Sequence, residues 1–204
     1  HFGRFAVTRI ALSTDALAQF DIAGILAAAQ LLSHARCQVI GWSGTSSSWL
    51  GFESDQALCR EIEQSTGALA CTSVLALNEI LRATGASSFG LVTPYLDDVQ
   101  QRIIANYARA GFPCVAERHL GLSDNFSFSD VTAAQLDIMI REVAAARPQA
   151  IVVLCTNLRA APIVPALEAE LGIPIYDSVA TVVWKALRLA GADTRRIRSW
   201  GRLF

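Results

Sequence analysis

Lysine is nearly missing from this 204-residue chain: of seventeen lysines and arginines together, Lys185 is the only lysine. Charge of either sign is scarce, at 17% of residues with a net of −1. So sparse and balanced a set leaves no electrostatic footprint for DNA or RNA. The one basic concentration, Lys185, Arg188, Arg195, Arg196, Arg198 and Arg202, lies in the tail and reads as a solvated helix end. Histidine is also scarce, at three residues. His34 and His119 are the two inside the chain, and neither sits in an HxxEH or HExxH pattern, so the zinc-hydrolase signatures are missing. GxSxG is missing too, which removes the serine-hydrolase elbow. Without GxGxxG or GxxxxGK[ST], dinucleotide and P-loop nucleotide binding lack their motifs. The five cysteines, at 37, 59, 71, 114 and 155, form no CxxC pair, so no zinc knuckle or redox motif is supported. An odd count in a long, core-forming chain fits reduced, cytosolic thiols. Apolar runs are short as well. Ile22–Leu32 and Ala150–Cys155 fall below the roughly 20 residues that span a bilayer, so no membrane partner is expected. No signal peptide is visible in the numbered residues, which begin at His1 rather than Met.

What is abundant is apolar: hydrophobic residues make up 52% of the chain, enough for a packed core. Short β-branched runs alternate with helical spacing throughout, the signature of βαβ units and a parallel α/β sheet. The spacing predicts strands over Val7–Leu12, Cys37–Trp42, Leu69–Ser73, Phe89–Thr93, Cys114–Leu120, Ala150–Leu154 and Pro174–Tyr176. Helices are predicted over Asp15–Ser33, Glu53–Thr66, Val74–Thr84, Leu96–Ala110, Ala133–Ala146, Pro162–Leu171 and Ala180–Ala190. A glycine follows several of these runs, as C-caps do. The segment Gln38–Ser46 also resembles Ala150–Asn157: each is a buried strand, a small residue, then hydroxyl or small polar residues. Such a weak repeat predicts two similar lobes, with a site where two strand ends meet. Ligands of open parallel sheets sit beyond the carboxyl ends of the strands.

Three strand ends carry usable chemistry. Gly44-Thr45-Ser46-Ser47-Ser48 offers hydroxyls and a glycine that lets backbone approach a ligand; Thr93-Pro94-Tyr95 offers a phenol; Cys155-Thr156-Asn157 offers a thiol. Together they make a set of oxygen-binding donors around one proton-transfer group. Each alone also fits a plain structural role. A serine-rich turn caps helices, a cysteine after a buried strand packs in a core, and Tyr95 serves equally as packing. Asp97-Asp98 opens a helix, where acids complement the dipole, and is not read as a metal site.

Gly44-Thr45-Ser46, Thr93–Val99, Leu154-Cys155-Thr156-Asn157 and the closing Gly201-Arg202-Leu203-Phe204 resemble the arylmalonate decarboxylase and maleate cis–trans isomerase branch of the aspartate/glutamate racemase superfamily. Within that branch, Trp42–Ser46, Asp124-Asn125-Phe126 and Tyr176–Thr181 are most similar to ectoine-utilisation protein A. The resemblance implies two pseudo-symmetric α/β lobes, each a parallel sheet flanked by helices, with the active site in the cleft between them. It places residues 1–75 and 176–204 in the first lobe and 76–175 in the second. It implies no cofactor, no metal and a small carboxylic acid as substrate; a homo-oligomeric state stays open. Racemases of the superfamily use two cysteines, one per lobe, maleate isomerases use the first as nucleophile, and arylmalonate decarboxylases keep the second. The first position matches Gly44 here and the second Cys155, so the chain is expected to be a single-cysteine, decarboxylase-like member. Cys155 would be the proton donor, its pKa lowered near a helix N-terminus. Gly44, Thr45, Ser46, Tyr95, Thr156 and Asn157 would bind substrate and stabilise an enediolate. Family members ordinarily carry a further strand and loop ahead of the part matched here, and these contribute to the oxyanion site. Racemisation of an amino-acid derivative in ectoine breakdown, maleate-type isomerisation and carboxylate binding without catalysis are the alternatives.

Overall fold

Six strands and nine α-helices alternate along residues 1–204 of the computed structural model. In chain order they are α1 (Thr14–Ala18), α2 (Ile22–Ser33), β1 (Val39–Trp42), α3 (Ser47–Leu50), α4 (Phe52–Thr66), β2 (Leu69–Thr72), α5 (Ser73–Ala83), β3 (Phe89–Thr93), α6 (Asp97–Arg109), β4 (Cys114–His119), α7 (Ala133–Ala144), β5 (Ile151–Val153), α8 (Val164–Leu171), β6 (Ile175–Asp177) and α9 (Ser178–Leu189). All strand pairs are parallel. β1 pairs with β2, and a second sheet runs in the order β4-β3-β5-β6. This is the α/β architecture of parallel sheets flanked by helices that the alternation predicts.

The larger sheet owes its rigidity to sequence that is apolar on both faces. Every residue of β3 (FGLVT) and β5 (IVV) is buried, as expected for central parallel strands covered by helices on each side. Gly90 lets α7 lie close on β3, since a Cβ there would meet Val143 Cγ1 at 2.1 Å. The helix itself starts on a capping box between Thr132 and Gln135. A 34-residue apolar cluster fills this half of the molecule. The smaller sheet has its own core of Ile25, Ala29, Ile40, Leu58, Ile62 and Ala68, drawn from α2, β1, α4 and the turn that leads into β2. The chain returns from the larger sheet to the smaller through α9. There Thr181 Oγ1 donates to the Ser73 carbonyl at 3.0 Å, and Lys185 pairs with Glu79 at 2.5 Å. The expected lobe division at residue 176 runs through β6, which pairs with β5.

Two expectations from the sequence fail near the start of the chain. Val7–Leu12 is not a strand: one antiparallel bridge, Arg9 to Asp124, is all the pairing it makes. No neighbouring strand edge lies along it, and β-propensity without a partner makes no ladder. Asp15–Ser33 is not one helix. It breaks at Gln19–Asp21, where the Asp21 carboxylate accepts the Ala23 N–H as the N-cap of α2. The whole stretch Thr14–Ser33 is long and apolar enough to cross a bilayer if continuous. Broken, α2 has 12 residues and runs about 18 Å against the roughly 30 Å of a hydrocarbon core.

One buried carboxyl sets a pH dependence. Asp55 on α4 is 2% exposed and its Oδ2 has no partner. Burial pushes its pKa up to about 6, against the pull of the Thr72 and Ser47 hydroxyls. The folded state therefore holds a proton that the unfolded chain releases near 3.8. Stability from this group is present at low pH and lost as pH rises through about 6, by up to about 3 kcal/mol. Asp55→Asn should flatten the fall in Tm between about pH 4 and about pH 7 and be the more stable protein at the upper end. Parallel melting profiles for the two proteins would show that Asp55 ionises without cost.

Candidate active site

The carboxyl ends of β1, β3 and β5 open onto one cavity of about 560 Å³. All seven residues singled out in the sequence line it: Gly44, Thr45 and Ser46 after β1, Tyr95 after β3, and Cys155, Thr156 and Asn157 after β5. The wall holds one cation, Arg4, one thiol, and no histidine or carboxylate. A divalent metal would find little to coordinate there beyond that thiol and neutral oxygens. The surroundings suit an anion with an apolar substituent.

The two sides meet through hydroxyls. Thr45 Oγ1 and the Tyr95 hydroxyl lie 2.8 Å apart, both buried. Burial holds the Tyr95 phenol well above its ordinary pKa, so it stays a neutral donor. The ring is wedged edge-on against Trp49 at 5.3 Å and Phe128 at 5.6 Å. Tyr95 thus both packs and presents its hydroxyl. The Ser46 side chain makes no capping bond to α3, although Ser46 occupies the N-cap position. The serine-rich turn is therefore not explained by capping, and α3, with 4 residues, is too short to act as a helix dipole of any size.

Cys155 is 3% exposed and departs from expectation in one respect. Its thiol pKa is raised, not lowered: burial dominates, over the pull of the Tyr95 hydroxyl and of the Asn157 and Leu158 N–H groups, with buried Asp177 pushing the same way as burial. No helix begins at the strand end. A turn closed by Leu158 N–H to the Cys155 carbonyl follows instead, and α8 starts only at Val164. Such a site keeps the thiol protonated at neutral pH.

A polar chain backs the Tyr95 side. The Tyr95 N–H donates to Thr93 Oγ1 at 3.3 Å, Thr93 Oγ1 donates to Gln100 Oε1 at 2.7 Å, and Gln100 Nε2 donates to Glu117 Oε2 at 2.8 Å. Glu117 and Asp97 then both hold His119. Desolvation lowers the His119 pKa, but the two carboxylates outweigh it and leave it raised. Asn157 is less free than its position suggests. Its amide nitrogen donates to the Asn125 carbonyl at 2.9 Å and to Asn125 Oδ1 at 3.0 Å, while Asn125 Nδ2 donates to the Val7 carbonyl at 2.7 Å. This pair straps the leading segment over the cavity.

Sequence reasoning missed the aromatic wall. Phe5, Phe20, Trp42 and Trp49 all line the cavity. Trp42 and Trp49 flank the Gly44–Ser48 run, and that adjacency was the available signal. Trp42 is the more consequential. A Cβ built on Gly44 would meet its ring at 2.2 Å, and Phe5 backs the same ring at 5.3 Å.

Comparisons with known proteins agree with this geometry. A family model described as arylmalonate decarboxylase matches residues 4–204. Arylmalonate decarboxylase of Bordetella bronchiseptica is 31% identical over 183 residues, covering 85% of this chain and 76% of that protein. Maleate isomerase of Nocardia farcinica is 30% identical over 122 residues, 59% of this chain and 49% of the relative. Among solved structures, a glycine-to-cysteine, cysteine-to-serine double variant of arylmalonate decarboxylase in its liganded form superposes with a TM-score of 0.87 at 26% identity, covering 97% of this chain and 84% of the other. With a match that runs from Arg4 to the last residue, the chain belongs to the arylmalonate decarboxylase family of the Asp/Glu racemase-like enzymes.

Proposed function

We propose that this protein is a cofactor-independent lyase that removes CO₂ from a small malonate-type acid bearing an aryl or other apolar group. What carries the proposal is the asymmetry of the cleft. One buried thiol, Cys155, lines the cavity after β5; after β1 the same cavity is lined by Gly44, where the Trp42 ring fills the space that a Cβ would take. The lobe division expected from the sequence, residues 1–75 with 176–204 against residues 76–175, is kept as the reading of the cleft, with its last boundary moved past Asp177 so that β6 stays whole.

The chemistry follows from the wall. As the bond to the departing carboxylate breaks, its electron pair passes to the α-carbon and delocalises into the remaining carboxylate as an enediolate. The Ser46 hydroxyl, the one O–H left free by the Thr45–Tyr95 bond and the backbone at Thr156 take up the charge that collects on its two oxygens. Losing one such donor typically costs about 10²–10³ in rate. Cys155 then gives its S–H proton to the α-carbon, forming the C–H bond, and the thiolate regains a proton from solvent. A raised pKa suits a residue that must arrive protonated. The aromatic wall favours loss of a carboxylate from an apolar surrounding. The narrower likeness to ectoine-utilisation protein A, through Trp42–Ser46, enters the proposal for fold and donors only. Two-base racemisation or maleate-type attack needs a second nucleophile or base, and the cavity wall carries no second thiol, histidine, lysine or carboxylate.

Cys155→Ala should abolish decarboxylation of phenylmalonate while costing on the order of 1 kcal/mol of stability, as ordinary buried substitutions do. Retained turnover would end the assignment of Cys155, and a protein that binds phenylmalonate but never turns it over would favour carboxylate binding without catalysis. Gly44→Cys introduces a second thiol after β1, but the Trp42 ring blocks its Cβ. The single variant should therefore melt lower and leave an optically pure 2-arylpropionate unchanged. Paired with Trp42→Ala, it should exchange the α-proton for deuterium with loss of optical purity. Racemisation by the single variant without loss of Tm would show that Trp42 is not the obstacle.

A further inference from the structure

Trp42, the last residue of β1, lines two cavities at once. One is the active-site cavity. The other is a space of about 50 Å³ walled by Ile25, Ala29 and Leu32 of α2, Ile40 of β1 and Ile62 of α4. The chain crosses from one to the other at this residue. Ile40 and Gly41 line only the smaller cavity, and Ser43 to Ser46 only the larger. Phe5 borders both cavities as well. We infer that Trp42, backed by Phe5, is a specificity residue: it is the end stop of the aryl pocket and selects compact aryl groups over elongated ones. The inference rests on the functional proposal above and narrows its substrate class.

Three observations support it. First, the ring has a built seat. A Cβ on Gly44 would meet Trp42 Cζ2 at 2.2 Å and Cε2 at 2.3 Å, so the ring can lie there only over a glycine. The Phe5 ring packs against it at 5.3 Å and 30°. Second, the stop lies where an aryl group would go. Trp49 and Ile10, although they line the active-site cavity, are almost fully buried and offer a ligand little surface. Phe5, Val7, Phe20 and Trp42 are half-buried and supply the apolar surface that is left. Of these, Trp42 stands nearest in the chain to the Thr45 and Ser46 hydroxyls, with its ring over Gly44 beside them. Third, the space behind the ring is apolar. The Trp42 indole N–H apart, none of its ten lining residues has a polar side chain. Such a void stays dry and is filled favourably only by an apolar group. Removing the ring would join the two cavities and give an elongated aryl group room that the wild-type wall denies it.

The test uses the whole chain and two product-like probes, phenylacetate and para-biphenylacetate, with affinities measured by calorimetry. Wild type should bind phenylacetate the more tightly. Trp42→Ala should raise the ratio of biphenylacetate to phenylacetate affinity about tenfold or more, the scale of an added apolar contact in a pocket. Phe5→Ala should raise it in the same direction. Phe5 lies outside every helix and strand, so that variant carries the test if Trp42→Ala does not fold. Phe20 lines the active-site cavity but not the smaller one, so Phe20→Ala enlarges the site without joining the two and should leave the ratio unchanged. A ratio that stays at the wild-type value in the folded Trp42 and Phe5 variants, or rises equally in Phe20→Ala, overturns the inference. So does a wild type that binds biphenylacetate as tightly as phenylacetate. Turnover of phenylmalonate in those cases leaves the functional proposal standing. The expected ratios in a protein that never decarboxylates phenylmalonate support the specificity assignment and overturn the decarboxylase reading alone.

Discussion

A single buried contact between two hydroxyls, Thr45 and Tyr95 at 2.8 Å, joins loops fifty positions apart in the chain. One loop leaves β1 of the smaller sheet and the other leaves β3 of the larger one. Both residues are almost wholly shielded from water, so each hydroxyl depends on the other. Removing either would leave a buried polar group unpaired, at about 1–3 kcal/mol. The contact is reinforced nearby, where Asn106 Nδ2 of α6 donates to the Ser48 carbonyl of α3 at 2.8 Å. Together these bonds fix how far apart the two strand ends stand, and hence the width of the cavity between them.

The thiol chemistry depends on the same closure. Were the cleft open, the Tyr95 hydroxyl and the two backbone N–H groups beside Cys155 would favour a thiolate. Packed as it is, the desolvation cost of a charged sulfur is larger than what those donors return, and the balance tips toward S–H. A protonated thiol is a poor nucleophile and a ready acid, which separates this arrangement from chemistry that begins with attack by sulfur. The β1 side adds a steric reason for the same outcome. With the Trp42 ring in the space that a Gly44 Cβ would take, that side presents an aromatic face where a second proton-handling residue would stand.

Much of this was legible before any coordinates, and the exceptions have physical causes. β3 and β5 stood out as short, wholly apolar runs bounded by turn residues, and such strands are specified by their own composition. The strand ends that bear Gly44, Tyr95 and Cys155 were therefore readable, and with them seven of the eighteen residues that line the cavity. Val7–Leu12 has the same β-branched character yet forms only the Arg9–Asp124 bridge, because a strand needs an edge and a sequence does not print its neighbours. The break before α2 was signalled by Asp21 but overridden by the continuous apolar spacing on both sides. The raised pKa of Cys155 was out of reach, since it depends on distant residues closing over the thiol rather than on those flanking it.

The central claim is that one thiol delivers one proton to one face of a carbanion. It is tested most directly by decarboxylating methylphenylmalonate in D₂O and examining the α-carbon of the product. The account predicts 2-phenylpropionate carrying a single α-deuterium, in one enantiomeric form. A racemic deuterated product would contradict it, because protonation would then be reaching both faces from solvent.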